Sequence, residues 1–154
     1  MTESTKIKWQ WFEFDQLTAK QLDEMYQLRQ EVFVVEQNCP YQDADGKDQY
    51  AHHLLGFIDD KIVATLRFFP EYADYDNHAS LGRVCNHDSL RGQGIGKALM
   101  EQAIIYANEN FPDKSIQIGA QSYLEKFYND FGFERISEEY LEDDIPHILM
   151  LKRI

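Results

Sequence analysis

Apolar and polar residues alternate over residues 7–14 and change phase at Trp11 and Phe12, which predicts a strand with a bulge. Thr18 and Gln21 then form a capping box, and Leu22, Met25, Tyr26, Val32 and Phe33 recur at helical spacing, predicting a helix over 19–35. Residues 40–48 read as a polar loop. Two strands follow, over 53–58 and 61–69, with Asp59 and Asp60 turning between them. An acidic loop over 70–79 leads to a short strand over 80–86. A glycine-rich turn, Arg91 to Gly96, opens a second helix with a buried stripe of Ile95, Leu99, Ala103 and Tyr106, stopped by Pro112. A strand over 115–120, a short helix over 122–130, and strands starting at Gly132 and Ile148 complete the chain. Hairpins followed by a strand–helix–strand unit predict an α+β layered sheet rather than a doubly wound one.

The 154 residues suit a single domain over 1–154, with no linker, repeat or low-complexity segment. Ten Phe and nine Tyr supply a core that a disordered chain lacks. The formal net charge of −12 argues against nucleic acid, because phosphate neutralisation needs a basic surface, and against anionic membranes. No apolar run approaches the ~20 residues of a membrane span. The polar start, residues 1–11, is unlike a signal peptide. Two cysteines, Cys39 and Cys85, are too few for a disulfide framework, so the cytoplasm is the expected compartment.

The segment Arg91-Gly92-Gln93-Gly94-Ile95-Gly96-Lys97 joins a predicted strand to a helix. N–H groups at a helix start have no internal partner and carry the positive end of the dipole, and glycines admit an anion close to them. A phosphate cradle is the physical reading. A Walker A loop fails here, because Arg91 and Ala98 stand where Gly and Ser or Thr are needed. Lys97 and Leu99 break the dinucleotide fingerprint in its two possible frames.

The remaining pattern, Arg-x-x-Gly-x-Gly, resembles the acetyl-CoA pyrophosphate loop of the GNAT N-acetyltransferase superfamily. Arg83-Val84-Cys85-Asn86, Phe127-Tyr128 with Gly132-Phe133, and Gln121 are similar to further segments of that family. The run Leu28 to Gln37, Cys39-Pro40-Tyr41, Asp45, Asp48, His52 and Ile145-Pro146-His147-Ile148 resembles its ElaA-like branch.

The resemblance implies a mostly antiparallel sheet in which two parallel strands, ending near Asn86 and Ala120, splay apart around acetyl-CoA. Acetyl passes directly to an amine in a ternary complex. The pyrophosphate is expected on Arg91, Gly92, Gln93, Gly94, Ile95 and Gly96, with Lys97 adding charge. The pantetheine arm is expected along Arg83, Val84 and Cys85, with Gln121 nearby. The N–H of Val84 or its neighbour faces the developing oxyanion. Tyr128 is the expected acid for the departing thiolate. Glu36 is the first choice of base, with His52 and His147 as alternatives. Arg29 is expected either to bind an acceptor carboxylate or to pair with Glu36. The acceptor is a small-molecule or peptide amine, and dimers are common in the family. An acyl-CoA sensor without a competent base, or an interaction module, is the competing reading on the same fold.

Other signals carry less. Asp43, Asp45 and Asp48 fail the EF-hand pattern and read as a solvated loop. No metal is expected, since His52 and His53 point to opposite faces of a strand. Cys85 reads as a small core residue rather than a nucleophile, and Cys39 as a loop packing residue. Glu134 to Asp144 holds six acids against one Arg, while Arg91 and Lys97 bracket the glycine turn. Such a partition suits an anionic cofactor at one mouth of a cleft and a cationic amine at the other.

Overall fold

The computed structural model describes residues 6–154, so residues 1–5 of the polar start lie outside the described part. Strand β1 (Lys8–Glu13) pairs antiparallel with β2 (His52–Ile58). The hairpin partner of β2 is β3 (Lys61–Tyr72). Asp59 and Asp60 make their turn with φ of 49° and 64°, the left-handed geometry that suits a two-residue hairpin. Next in the sheet is β4 (His78–Asn86), antiparallel to β3. The expected acidic loop is shorter than its composition implies. Strand β3 runs on through Pro70 to Tyr72, and Asp76 and Asn77 turn the chain at positive φ.

Helix α1 (Ala19–Gln30) lies between β1 and β2 in sequence. Its capping box forms as read. Gln21 N–H donates to Thr18 Oγ1 at 3.1 Å, and the Gln21 side chain accepts from Thr18 N–H at 2.9 Å. The coil does not end at Gln30 but widens into a π-type turn over Glu31–Glu36. Helix α2 (Ile95–Asn110) follows the glycine turn. The rest of the chain is β5 (Ile116–Gln121), α3 (Glu125–Asn129), β6 (Glu134–Arg135), β7 (Tyr140–Glu142) and β8 (Ile145–Lys152). Strand order is β1-β2-β3-β4-β5-β8-β6, with β7 also on β8.

Both faces of the sheet are covered. Met25 and Leu28 of α1 pack on Phe12, Leu55, Ile62 and Cys85. On the other face, Ile95, Leu99, Met100, Ala103 and Ala107 of α2 pack on Leu54, Leu66, Phe68 and Leu81. This double cover explains the phase change in β1. Trp11 stacks on Tyr106 toward α2, with ring centroids 3.8 Å apart, while Phe12 turns under α1. The β1–β2 register is unbroken from Lys8 to Glu13, so the expected bulge is absent there. Tyr106, expected in the buried stripe of α2, is half-buried because it reaches sideways to Trp11 and to His52.

Candidate active site

Strands β4 and β5 run parallel and meet at one register position, Ala79 opposite Ile116. There the Ala79 N–H donates to the Ser115 carbonyl at 2.9 Å. Beyond it β4 follows β3, β5 follows β8, and the two diverge. The gap opens into a cleft of ≈ 990 Å³ that runs from the glycine turn to His147. An unpaired strand edge presents N–H and C=O groups that an extended, amide-bearing ligand can pair with.

The glycine turn sits at one end. Gly92 and Gly94 hold φ of 78° and 74°, and a Cβ built on either meets nothing within 4 Å. The backbone conformation, not crowding, calls for glycine there. Gly94 is the N-cap of α2, so the N–H groups of Ile95, Gly96 and Lys97 start the helix without intrahelical acceptors. Gly92, Gln93, Gly94 and Lys97 are exposed, whereas the Ile95 side chain is buried in the core below. An open helix start with a left-handed N-cap, beside an unpaired edge, can receive an anionic, amide-bearing ligand.

Midway along, β4 is bulged. Thr65 pairs with Cys85 and Arg67 with Gly82, which leaves Arg83 and Val84 without partners on β3. Arg83 holds φ of 50°. The bulge switches faces: Leu81 packs under α2, but Cys85, four residues on, packs under α1. Burial pushes the Cys85 thiol up to about 12, so it stays protonated. That suits the small packing residue read from the sequence and not a thiolate nucleophile. Cys39 is half-buried at the cleft rim.

Tyr128, on α3, lines the same stretch of cleft. Its ring is buried, its hydroxyl has no hydrogen-bond partner among the described residues, and burial pushes it up to about 12. Gln121 ends β5 opposite His147 of β8, and both line the cleft. His147 Nδ1 lies 2.7 Å from the Ile145 carbonyl. A carbonyl accepts only, so Nδ1 carries the proton and Nε2 keeps its lone pair.

Glu36 ends the widened turn after α1 and also lines the cleft. Arg91 grips its carboxylate with both terminal nitrogens, Nη2 donating to Oε1 at 2.9 Å and Nη1 to Oε2. The hydrogen bonds from Arg91, reinforced by its charge, lower the carboxyl below its ordinary value against a smaller contribution from burial.

Three sequence expectations change. Arg29 neither reaches an acceptor nor pairs with Glu36. It is 1% exposed, with Nε 2.9 Å from Asp43 and Nη1 2.9 Å from Asp48. His52 lies on the α2 face, its Nδ1 against the Tyr106 hydroxyl, away from the cleft. The segment Asp43 to Asp48 is not a solvated loop. Asp43 and Asp48 are buried, and with Asp45 they bind Arg29, Arg67 and Arg83. Burial works to raise Asp45 and Asp48, but hydrogen bonds and charge from these arginines outweigh it and hold both low. Tyr72, Tyr75 and Asp74 line the far end, and a Cβ on Gly119 would lie 3.0 Å from Tyr140 Oη and 3.2 Å from Tyr75 Oη. These residues carried no motif in the sequence. Among the described residues no group of His, Cys, Asp and Glu is arranged to hold a metal, and no helix is long and apolar enough to cross a membrane.

A sequence model of the acetyltransferase (GNAT) domain matches residues 13–154. The chain is 41% identical over 150 residues to Protein ElaA of Escherichia coli, an alignment covering 96% of this chain and 97% of that protein. The crystal structure of E. coli ElaA is similar with a TM-score of 0.89, covering 96% of this chain and 100% of that one. The crystal structure of an acyl-CoA N-acyltransferase from Pseudomonas aeruginosa is similar with a TM-score of 0.90 at 40% identity, covering 96% of this chain and 99% of that one.

Proposed function

The chain belongs to the GNAT acetyltransferase family and is an acyltransferase, and from that premise we propose that it moves the acetyl group of acetyl-CoA onto a primary amine by direct attack in a ternary complex. The observation that carries this reading is the splayed β4–β5 pair, whose unpaired edges adjoin an open glycine-capped helix start. The pyrophosphate rests on the N–H groups of Gly92 to Lys97. The pantetheine arm pairs along Arg83 to Cys85. The thioester then lies between the bulge and Tyr128.

In the transfer, the amine nitrogen attacks the thioester carbonyl carbon, forming the C–N bond, and the C–S bond breaks. The N–H of Val84 or Cys85 receives the developing oxyanion, a contact worth about 10²–10³ in rate. His147 Nε2 takes the proton that the ammonium must lose, because its lone pair is free while the Glu36 carboxylate is held by Arg91. Tyr128 hydrogen-bonds the departing sulfur and supplies its proton, and the phenolate is reprotonated by the second proton that the attacking nitrogen sheds as the amide forms. Burial keeps that phenol protonated at working pH. Asp74, Glu142 and Asp143 line the acceptor end, which favours an amine that arrives as its ammonium ion. Two free thiols and a CoA ester donor suit a cytoplasmic setting.

Release of free thiol from acetyl-CoA across a panel of primary amines tests this reading. The expected result is amine-dependent release matched by amide product. Tight CoA binding with no amine-dependent release by any member of a broad panel would favour a sensor instead.

A further inference from the structure

We infer that Asp43 is a positioning residue for the acyl-transfer step: by gripping the Arg83 side chain it holds the β4 bulge in the shape that presents Val84 and Cys85 to the cleft. The inference rests on the acyltransferase reading for its kinetic consequence, and on geometry alone for its structural one.

Arg83 is a non-glycine residue at φ of 50°, a conformation that L-residues leave unless something holds them. Neither the β3 ladder nor the β5 edge holds it. Its side chain is the remaining anchor. Nε forms an ion pair with Asp43 Oδ1 at 2.7 Å that lacks hydrogen-bond geometry, and Nη2 donates to the Asp43 carbonyl at 2.9 Å. Asp43 is itself fixed: its side chain is 3% exposed, and Oδ2 accepts from Arg29 Nε at 2.9 Å. Arg29 is fixed in turn by Asp48, which also accepts from Arg67 Nη1 at 3.0 Å. Arg29 belongs to α1 and Arg67 to β3, so the network ties the bulge to two rigid elements. A buried charge network of this kind is a weak source of stability, since apolar packing of the same volume does as well. What apolar side chains lack is a directed hydrogen bond and a close ion pair on one guanidinium, which together fix one torsional state of Arg83. Placement of an oxyanion donor tolerates little error, so the bulge is where such directionality matters.

The test uses Asp43→Asn, which keeps the shape but not the charge, and Arg83→Met, which leaves Asp43 paired to Arg29. Two readouts are taken on the full chain: amide hydrogen exchange at Val84 and Cys85, and steady-state kinetics beside calorimetric CoA binding. The expected result is faster exchange at those two amides with Leu66 unchanged, a kcat lower by about 10²-fold, and a CoA Kd within about twofold of wild type. Arg83→Met decides the matter should Asp43→Asn fail to fold. Unchanged kcat in folded Arg83→Met overturns the inference, as does a rate loss that merely follows weakened CoA binding. If the wild-type chain transfers acetyl to no amine, the acyltransferase reading fails while the exchange result still judges the bulge: unchanged exchange at Val84 and Cys85 overturns it.

Discussion

Tyr128 shows how one buried hydroxyl acquires a role. Its ring is fixed by edge contacts with Phe127 and Phe133, at centroid distances of 5.1 and 6.0 Å. Desolvation pushes the phenol up to about 12, which keeps the proton on oxygen, as the proposed acid role requires. Tyr128→Phe removes that proton and little else. Steady-state kinetics is expected to show kcat lower by about 10²-fold with the acetyl-CoA KM unchanged. His147→Gln is expected to lower kcat by about 10²-fold, and Glu36→Gln to leave it nearly unchanged. At this scale the sequence was partly legible. Tyr128 and His147 stood in recognisable segments. The partner of Glu36 did not, because Arg91 lies 55 residues away and only the fold brings them together. Asp43, Asp45 and Asp48 looked solvated for the same reason: their cations come from α1, β3 and β4.

The elements were legible where one period dominates. Helix α1 begins at its capping box and α2 at its glycine turn, as the pattern predicts. The errors fall where both faces of a strand are buried and alternation loses its meaning. That condition made β1 look bulged, and it concealed the real bulge in β4, whose register slips between Gly82 and Cys85. Strand β7 spans three residues in an acidic stretch and showed no periodicity of its own. The glycine turn lends itself to an element-level prediction. Gly94→Ala forces a side chain into φ of 74°, at a cost of about 1–2 kcal/mol, although no atom stands in the way. The turn is then expected to relax away from the shape proposed to cradle the pyrophosphate. The acetyl-CoA KM should rise about 10-fold, with kcat at saturation nearly unchanged and the melting temperature only slightly lower.

Across the whole molecule the net charge of −12 resolves into two populations. Asp43 and Asp48 sit inside, and with the more exposed Asp45 they face three arginines, so the acidic excess belongs to the surface and to the cleft rim. The internal set ties acid stability to the fold. Asp45 and Asp48 are held below their ordinary value of 3.8, so the stability they contribute is fully present above that pH and is lost as pH falls through their lowered folded values. Asp48→Asn is expected to cost about 3–5 kcal/mol at neutral pH by leaving Arg29 and Arg67 short of a partner. Urea unfolding at a series of pH values should then show a shallower fall below about pH 4 than in wild type. The splayed cleft is proposed to pass acetyl from acetyl-CoA directly to an amine. The most direct measurement is the fate of an isotopically labelled acetyl group when labelled acetyl-CoA, the chain and a mixture of primary amines are combined. The account predicts label in an amine-derived amide, in step with free thiol and with none left on the protein. Label trapped on the protein, or recovered only as acetate and unreacted acetyl-CoA, would contradict it.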